Sequence, residues 1–180
     1  YTTQVCHKGL GQNIIAEIKA ETPKFKDEYI LIGAHYDHLG VRSGEIYNGA
    51  DDNASGSAVL LQLARLFKAN KDKLDRNIIL VWFDAEEIGL IGSKHFVKDS
   101  AYANKIGKIK LMINLDMVGA RNKTIAIPLM DTDEEMLQEY ERAIAELGFS
   151  ERRWTVHHGS YMDDHTPFLE AGVHSLNLIA

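Results

Sequence analysis

The chain has 180 residues, 45% of them hydrophobic and 26% charged, with 20 Lys and Arg against 26 Asp and Glu for a net charge of −6. That suffices for one globular domain with a substantial core and is short for two. The acidic balance argues against nucleic acid or an anionic membrane as partner, since both select a basic face. No apolar run approaches the ~20 residues that cross a bilayer, and Cys6 is alone, so no internal disulfide forms.

Residues 13–20 (NIIAEIKA) alternate as a half-buried strand does. The runs at 28–35 (EYILIGAH) and 76–84 (RNIILVWFD) are almost continuously apolar, the pattern of strands covered on both faces. Between them, Val59, Leu63, Leu66 and Phe67 recur at helical spacing, which predicts a helix over 55–70 with Ser55 as N-cap. Asp84 and Glu87 have capping-box spacing for a helix beginning near Ile88. A third doubly covered strand follows at 108–117 (KIKLMINLDM), with a shorter one at 124–127. Residues 131–149 read as an amphipathic helix, acidic in its first turn and with Gly148 just past its last periodic residue. A short helix over 165–172 and a strand over 173–180 close the chain. Strands alternating with helices predict a single α/β domain over 1–180, a three-layer α/β/α sandwich on a mostly parallel mixed sheet. Such sheets bind ligands outside the carboxyl ends of their strands.

Those ends are unusually polar. His35 and Asp37 follow one strand, Asp51 and Asp52 stand in NGADDNASG, Glu86 and Glu87 in DAEEIG, and Asp116 in NLDMVG. Each has a structural explanation taken singly: a core histidine, an acidic turn before a helix, the capping box, an Asx turn ending a strand. All four at one sheet edge are harder to explain that way. Buried carboxylates need a cation, and Arg42, Arg65 and Arg76 fall on loops or the helix and not at these strand ends. Imidazole and carboxylate without thiolate suit zinc, manganese or cobalt. A carboxylate-rich set fits two metals that share a carboxylate and a water, with one carboxylate left free to take the proton. Adjacent Glu86 and Glu87 provide for both roles.

GAHYDHLG (33–40), NGADDNASG (48–56), DAEEIGLIGSKHF (84–96), LDMVG (115–119) and the DDHTPF segment resemble, in order and spacing, the motifs of the M28 family of di-zinc aminopeptidases. The resemblance runs from about Gly33 to the end of the chain. It implies a zinc-exopeptidase-like fold in which His35 and Asp116 hold one zinc, Asp52 bridges both and Glu87 binds the second. Glu86 would be the general base that activates the bridging water and later protonates the leaving amine. Asp37 would fix the His35 imidazole from behind, and the Asp52–Asn53 bond would be cis. The segment HHGSYMDDHTPFLEAG would line the substrate pocket through Tyr161, Met162, Asp163 and Phe168, while His38 would stand at the rim and the other histidines on the surface or in packing.

In the family the last ligand of the second zinc is a histidine well beyond DDHTPF. The chain stops at Ala180, so the resemblance implies a complete first site, an incomplete second one and a domain truncated at both ends. The implied substrates are peptides with a free N-terminus, and the family's habit points to secretion or a periplasmic location. Glutaminyl cyclases are similar in fold and in the DDH-x-PFL segment but use one zinc for an intramolecular aminoacyl transfer; they carry GATDS where this chain has GADDN. A metal-poor binding module is the third reading.

Overall fold

In a computed structural model of the chain, residues 10–119, 125–128, 138, 142–143, 145–146, 154–157 and 162–179 are described, the strands at 125–128 and 154–157 by their backbone alone. The expected helix over 131–149 lies mostly outside the described residues; residues 138, 142–143 and 145–146 within it are helical.

Five strands form the main sheet: β1 (Ile14–Ile18), β2 (Tyr29–His35), β5 (Asn77–Phe83), β6 (Ile109–Leu115) and β9 (Ser175–Leu178), in the order β1-β5-β2-β6-β9. Only β1 runs antiparallel, pairing Ile14 with Trp82 and Ile18 with Ile78; the other pairings are parallel. All seven residues of β5 are buried, as a strand covered on both faces requires. Its side chains alternate between two cores. Ile79, Val81 and Phe83 join Leu31, Met112, Phe96 and Phe168 on one side, while Ile78, Leu80 and Trp82 join Ile32, Leu60 and Leu115 on the other.

Helix α1 (Gly56–Ala69) covers the second core and α2 (Ile91–Lys98) with α3 (Thr166–Glu170) the first, giving the expected three layers. The apolar stripe of α1 is Leu60, Leu63, Ala64 and Phe67. Val59 and Leu66, expected on it, are exposed, because the sheet faces a stripe one position away. Ser55 is not a side-chain N-cap: it is already helical (φ −62°, ψ −53°), and the Gly56 N–H donates to Asn53 Oδ1 at 3.0 Å instead. Nor does a helix begin near Ile88. Asp84 Oδ2 accepts from the Gln12 N–H at 2.8 Å, and Asn13 bridges Asp84 N–H and Gly92 O, so the helix starts only at Ile91.

Three pieces were not anticipated: a hairpin of β3 (Gly40–Arg42) and β4 (Glu45–Tyr47), a π-helical turn at Ala50–Ser55, and β8 (Trp154–His157). Strand β8 pairs in parallel with β7 (Ile125–Pro128) as a separate two-stranded sheet. No helix among the described residues is long and apolar enough to cross a membrane. Strands β2, β5 and β6 end side by side, with β2 between the other two. The polar motifs meet at that edge.

Candidate metal centre

His35 closes β2 with its side chain 1% exposed. Its Nε2 lies 3.2 Å from Asp52 Oδ1 and 3.4 Å from Asp116 Oδ1. Asp116 is placed there by the strand it follows, its N–H donating to Leu178 O at 3.0 Å. Asp52 comes from the π-helical turn, which is sewn to the end of β6. Asn53 Nδ2 donates to Leu115 O at 2.8 Å, and Asp51 Oδ1 accepts from the Gly119 N–H at 2.9 Å. The Ser55 hydroxyl donates to Asp51 O at 2.6 Å and accepts from the Val118 N–H at 3.0 Å. Gly56 has no room for a side chain, since a Cβ would strike the Leu115 carbonyl, and this close approach lets the turn sit against β6. The Asp52–Asn53 peptide bond is cis, as the resemblance implied.

A second set faces the other oxygen of Asp52. His38 Nδ1 lies 3.8 Å from Asp52 Oδ2 and 2.8 Å from Glu87 Oε1. In each set, His35–Asp52–Asp116 and His38–Asp52–Glu87, one ligand atom per residue lies within 4.8 Å of the others. Asp52 thus contributes to both. Sequence reasoning had left His38 at the rim. The one signal for it was a second histidine three residues after His35 in the same loop.

Asp37 plays a broader part than expected. The nearest acceptor to His35 Nδ1 is the Asp37 backbone carbonyl at 3.1 Å, with the carboxylate at 3.5 Å. The carboxylate itself takes the Glu86 N–H at 3.0 Å and the Glu87 N–H at 3.2 Å, and so fixes the acidic turn after β5. Behind that turn, Phe83, Phe96 and Phe168 pack with ring centroids 5.6–6.2 Å apart.

The charges are closely balanced. Burial works against a charged His35, but the close carboxylates of Asp116 and Asp37 and the charge of Glu86 outweigh it and lift its pKa to about 11. Burial raises Asp116, with the Asp163 carboxylate adding to the effect. Burial likewise raises Glu86 to about 7, against the pull of His35. Asp37 is pushed up by burial and pulled further down by His35 and the two backbone donors, for a net lowering.

The donor set fits a divalent cation by a test internal to the structure. His38 Nδ1, Glu87 Oε1 and Asp116 Oδ1 are buried without a hydrogen-bond partner. A buried orphan is costly unless something else satisfies it, and each of these is a ligand atom of one set. Ligands about 2.0–2.1 Å from a tetrahedral zinc stand roughly 3.3 Å apart, close to the separations around His35 Nε2.

Three of the four expected pocket residues fall within the described residues, Met162, Asp163 and Phe168. Met162 is exposed. Asp163 is buried, its Oδ1 accepting from Asn114 Nδ2 and its Oδ2 from Asn177 Nδ2, both at 2.9 Å. Phe168 is wholly inside the aromatic core, and Tyr161 lies outside the described residues. A cavity of about 310 Å³ opens beside the centre, lined among others by Tyr36, Asp37, His38, Asn48, Asn53 and Leu61.

Known proteins resemble the chain over most of its length. The chain is 36% identical over 173 residues to Aminopeptidase YwaD of Bacillus subtilis, covering 94% of this chain and 35% of that protein. It is 27% identical over 212 residues to a glutaminyl-peptide cyclotransferase of Boiga dendrophila, covering 96% of this chain and 58% of the relative. It therefore spans about a third to somewhat over half of these relatives. A solved structure, that of BSAP, a zinc aminopeptidase from Bacillus subtilis, superposes with a TM-score of 0.72 at 34% identity, covering 93% of this chain and 39% of that one. The pattern of Peptidase family M28 matches residues 13–180, and the chain belongs to that family.

Proposed function

We propose that this centre removes the N-terminal residue from peptides in a metal-dependent hydrolysis, with two cations sharing Asp52 and with Glu86 as general base. The observation that carries the reading is the division of Asp52, whose Oδ1 and Oδ2 face separate ligand sets, while Glu86 stands beside both and belongs to neither. Similarity to an aminopeptidase over 94% of the chain supports it.

Zinc held by His35, Asp52, Asp116 and Glu87 would supply Lewis-acid polarisation of the scissile carbonyl and a water of lowered pKa. Glu86 takes the proton of the attacking water and returns it to the departing amine. Burial holds its carboxyl at about 7, where a group both accepts and gives up a proton readily near neutrality. Asp37 keeps that carboxyl in place by gripping the backbone on which it sits. The acidic cluster of Asp37, Asp52, Glu86, Glu87 and Asp116 also suits a substrate that enters with a free, positively charged amine.

The test sets an aminoacyl p-nitroanilide beside a peptide with N-terminal glutamine. Release of nitroaniline supports the aminopeptidase reading. Cyclisation of the glutaminyl peptide without hydrolysis would replace it by the cyclotransferase reading, which similarity to such an enzyme over 96% of the chain keeps open. Neither activity, with no zinc taken up, would leave the binding-module reading.

A further inference from the structure

We propose that Asn13 is a positioning residue for Glu86 and Glu87, its side-chain amide closing the base of the loop that carries both. The proposal rests on the reading of Glu86 as general base and deepens it by naming a residue from another strand that holds this base in place.

Three observations carry it. First, the antiparallel register that pairs Ile14 with Trp82 brings Asn13 beside the end of β5. There its Oδ1 accepts from the Asp84 N–H at 3.1 Å and its Nδ2 donates to Gly92 O at 2.8 Å. Asp84 and Gly92 are the two ends of the loop, and the Gly92 N–H donates to Asp84 O at 3.0 Å. One side-chain amide thus spans the base of the loop and ties it to β1. Second, Gly92 leaves room for this contact, since a Cβ there would strike both the Asp84 carbonyl and Asn13 Oδ1. Third, the loop does not follow a relaxed course. Ala85 (φ +58°), just before Glu86, and Leu90 (φ +59°) both lie in the left-handed region, which is disfavoured for residues with a Cβ. Such backbone persists only where the surrounding contacts fix it. Asp37 holds two N–H groups within the loop, and Asn13 holds its ends.

With the base open, Ala85 relaxes and the Glu86 carboxyl leaves its place beside the ligand sets. A misplacement of about 1 Å at a reacting group costs up to about 100-fold in rate. The alternative is that Asn13 only steadies β1, and a control variant separates the two roles. Ile18 lies at the far end of the same strand, packed against the second core, so Ile18→Ala weakens β1 without touching the loop.

The experiment compares wild type, Asn13→Ala, Asn13→Asp and Ile18→Ala by steady-state kinetics on an aminoacyl anilide with zinc, and by amide hydrogen exchange of chelator-treated protein. Asn13→Ala should lose about 10- to 100-fold in kcat with KM within about twofold of wild type. Its Glu86 and Glu87 N–H groups should exchange about 10-fold faster or more, relative to the amides of β2. Ile18→Ala should change neither quantity. Asn13→Asp keeps the acceptor for the Asp84 N–H and loses the donor to Gly92 O; it should fall between wild type and Asn13→Ala, and it carries the test if Asn13→Ala does not fold. Wild-type kcat and exchange in the Asn13 variants, or equal losses in Ile18→Ala, would overturn the proposal. If wild type hydrolyses no anilide, the aminopeptidase reading falls by itself, and the exchange rates alone uphold or overturn the role of Asn13.

Discussion

Asp37→Asn is the most informative single change at this centre, because one carboxylate serves two functions there. Its oxygens take the Glu86 N–H at 3.0 Å and the Glu87 N–H at 3.2 Å, and Oδ1 stands 3.5 Å from His35 Nδ1. An asparagine amide has one acceptor oxygen, so one backbone N–H then faces an NH2 group and loses its partner. A hydrogen bond to a charged group is worth about 1.5–3 kcal/mol, and the side chain is only 17% exposed, so water replaces little of it. For a domain of this size that corresponds to a fall in Tm of roughly 3–12 °C. The turn carrying Glu86 and Glu87 should loosen, and zinc affinity should fall about 10- to 100-fold, as when a group behind a ligand is lost. Urea unfolding of chelator-treated protein measures the first quantity and competition titration the second. A variant within about 0.5 kcal/mol of wild type that binds zinc as tightly would refute the argument that Asp37 builds the acidic turn.

Glu86→Gln should keep its zinc and lose roughly 100- to 10,000-fold in kcat on an aminoacyl anilide, the range for a general base; comparable turnover would remove Glu86 from the reaction. His35, with its pKa lifted to about 11, is protonated at neutral pH and must release that proton on ligation, so zinc uptake should liberate about one proton from this site and tighten as pH rises. Calorimetry in buffers of different ionisation enthalpy reads the proton directly. Before zinc is added, the same raised pKa stabilises the fold fully below about pH 6.5, and the contribution fades as pH climbs towards about 11. Gly56→Ala drives a methyl group into the Leu115 carbonyl; the expected cost is about 1–3 kcal/mol, accompanied by weaker zinc binding as the turn carrying Asp52 moves off β6. An unchanged urea midpoint would show that the turn has slack there.

Much of this was legible in the sequence, for physical reasons. Apolar runs long enough for doubly covered strands placed β2, β5 and β6 within a residue or two, and a sheet of that kind gathers its strand ends at one edge, which brought His35, Asp52, Glu87 and Asp116 together. What escaped depends on partners distant in the chain. Asp84 was read as a cap for its own helix, but Gln12 and Asn13 compete for the groups involved. Asp37 was assigned to an imidazole, and its best partners proved to be backbone N–H groups, which no sequence pattern marks. Phe168 shows a limit of another kind, since an apolar residue in a polar motif suits a pocket wall and a core equally well. His38 lies beyond the strand's two-residue alternation, where only the π-helical turn packed against it decides which way the ring points.

The central claim is that Asp52 divides its two oxygens between two cations. Anomalous diffraction at the zinc edge on zinc-loaded crystals tests it most directly. The account predicts two peaks about 3.5–4 Å apart, one beside His35 and Asp116 and the other beside Glu87, with an Asp52 oxygen turned to each. A single peak, or a pair that Asp52 does not bridge, would contradict it.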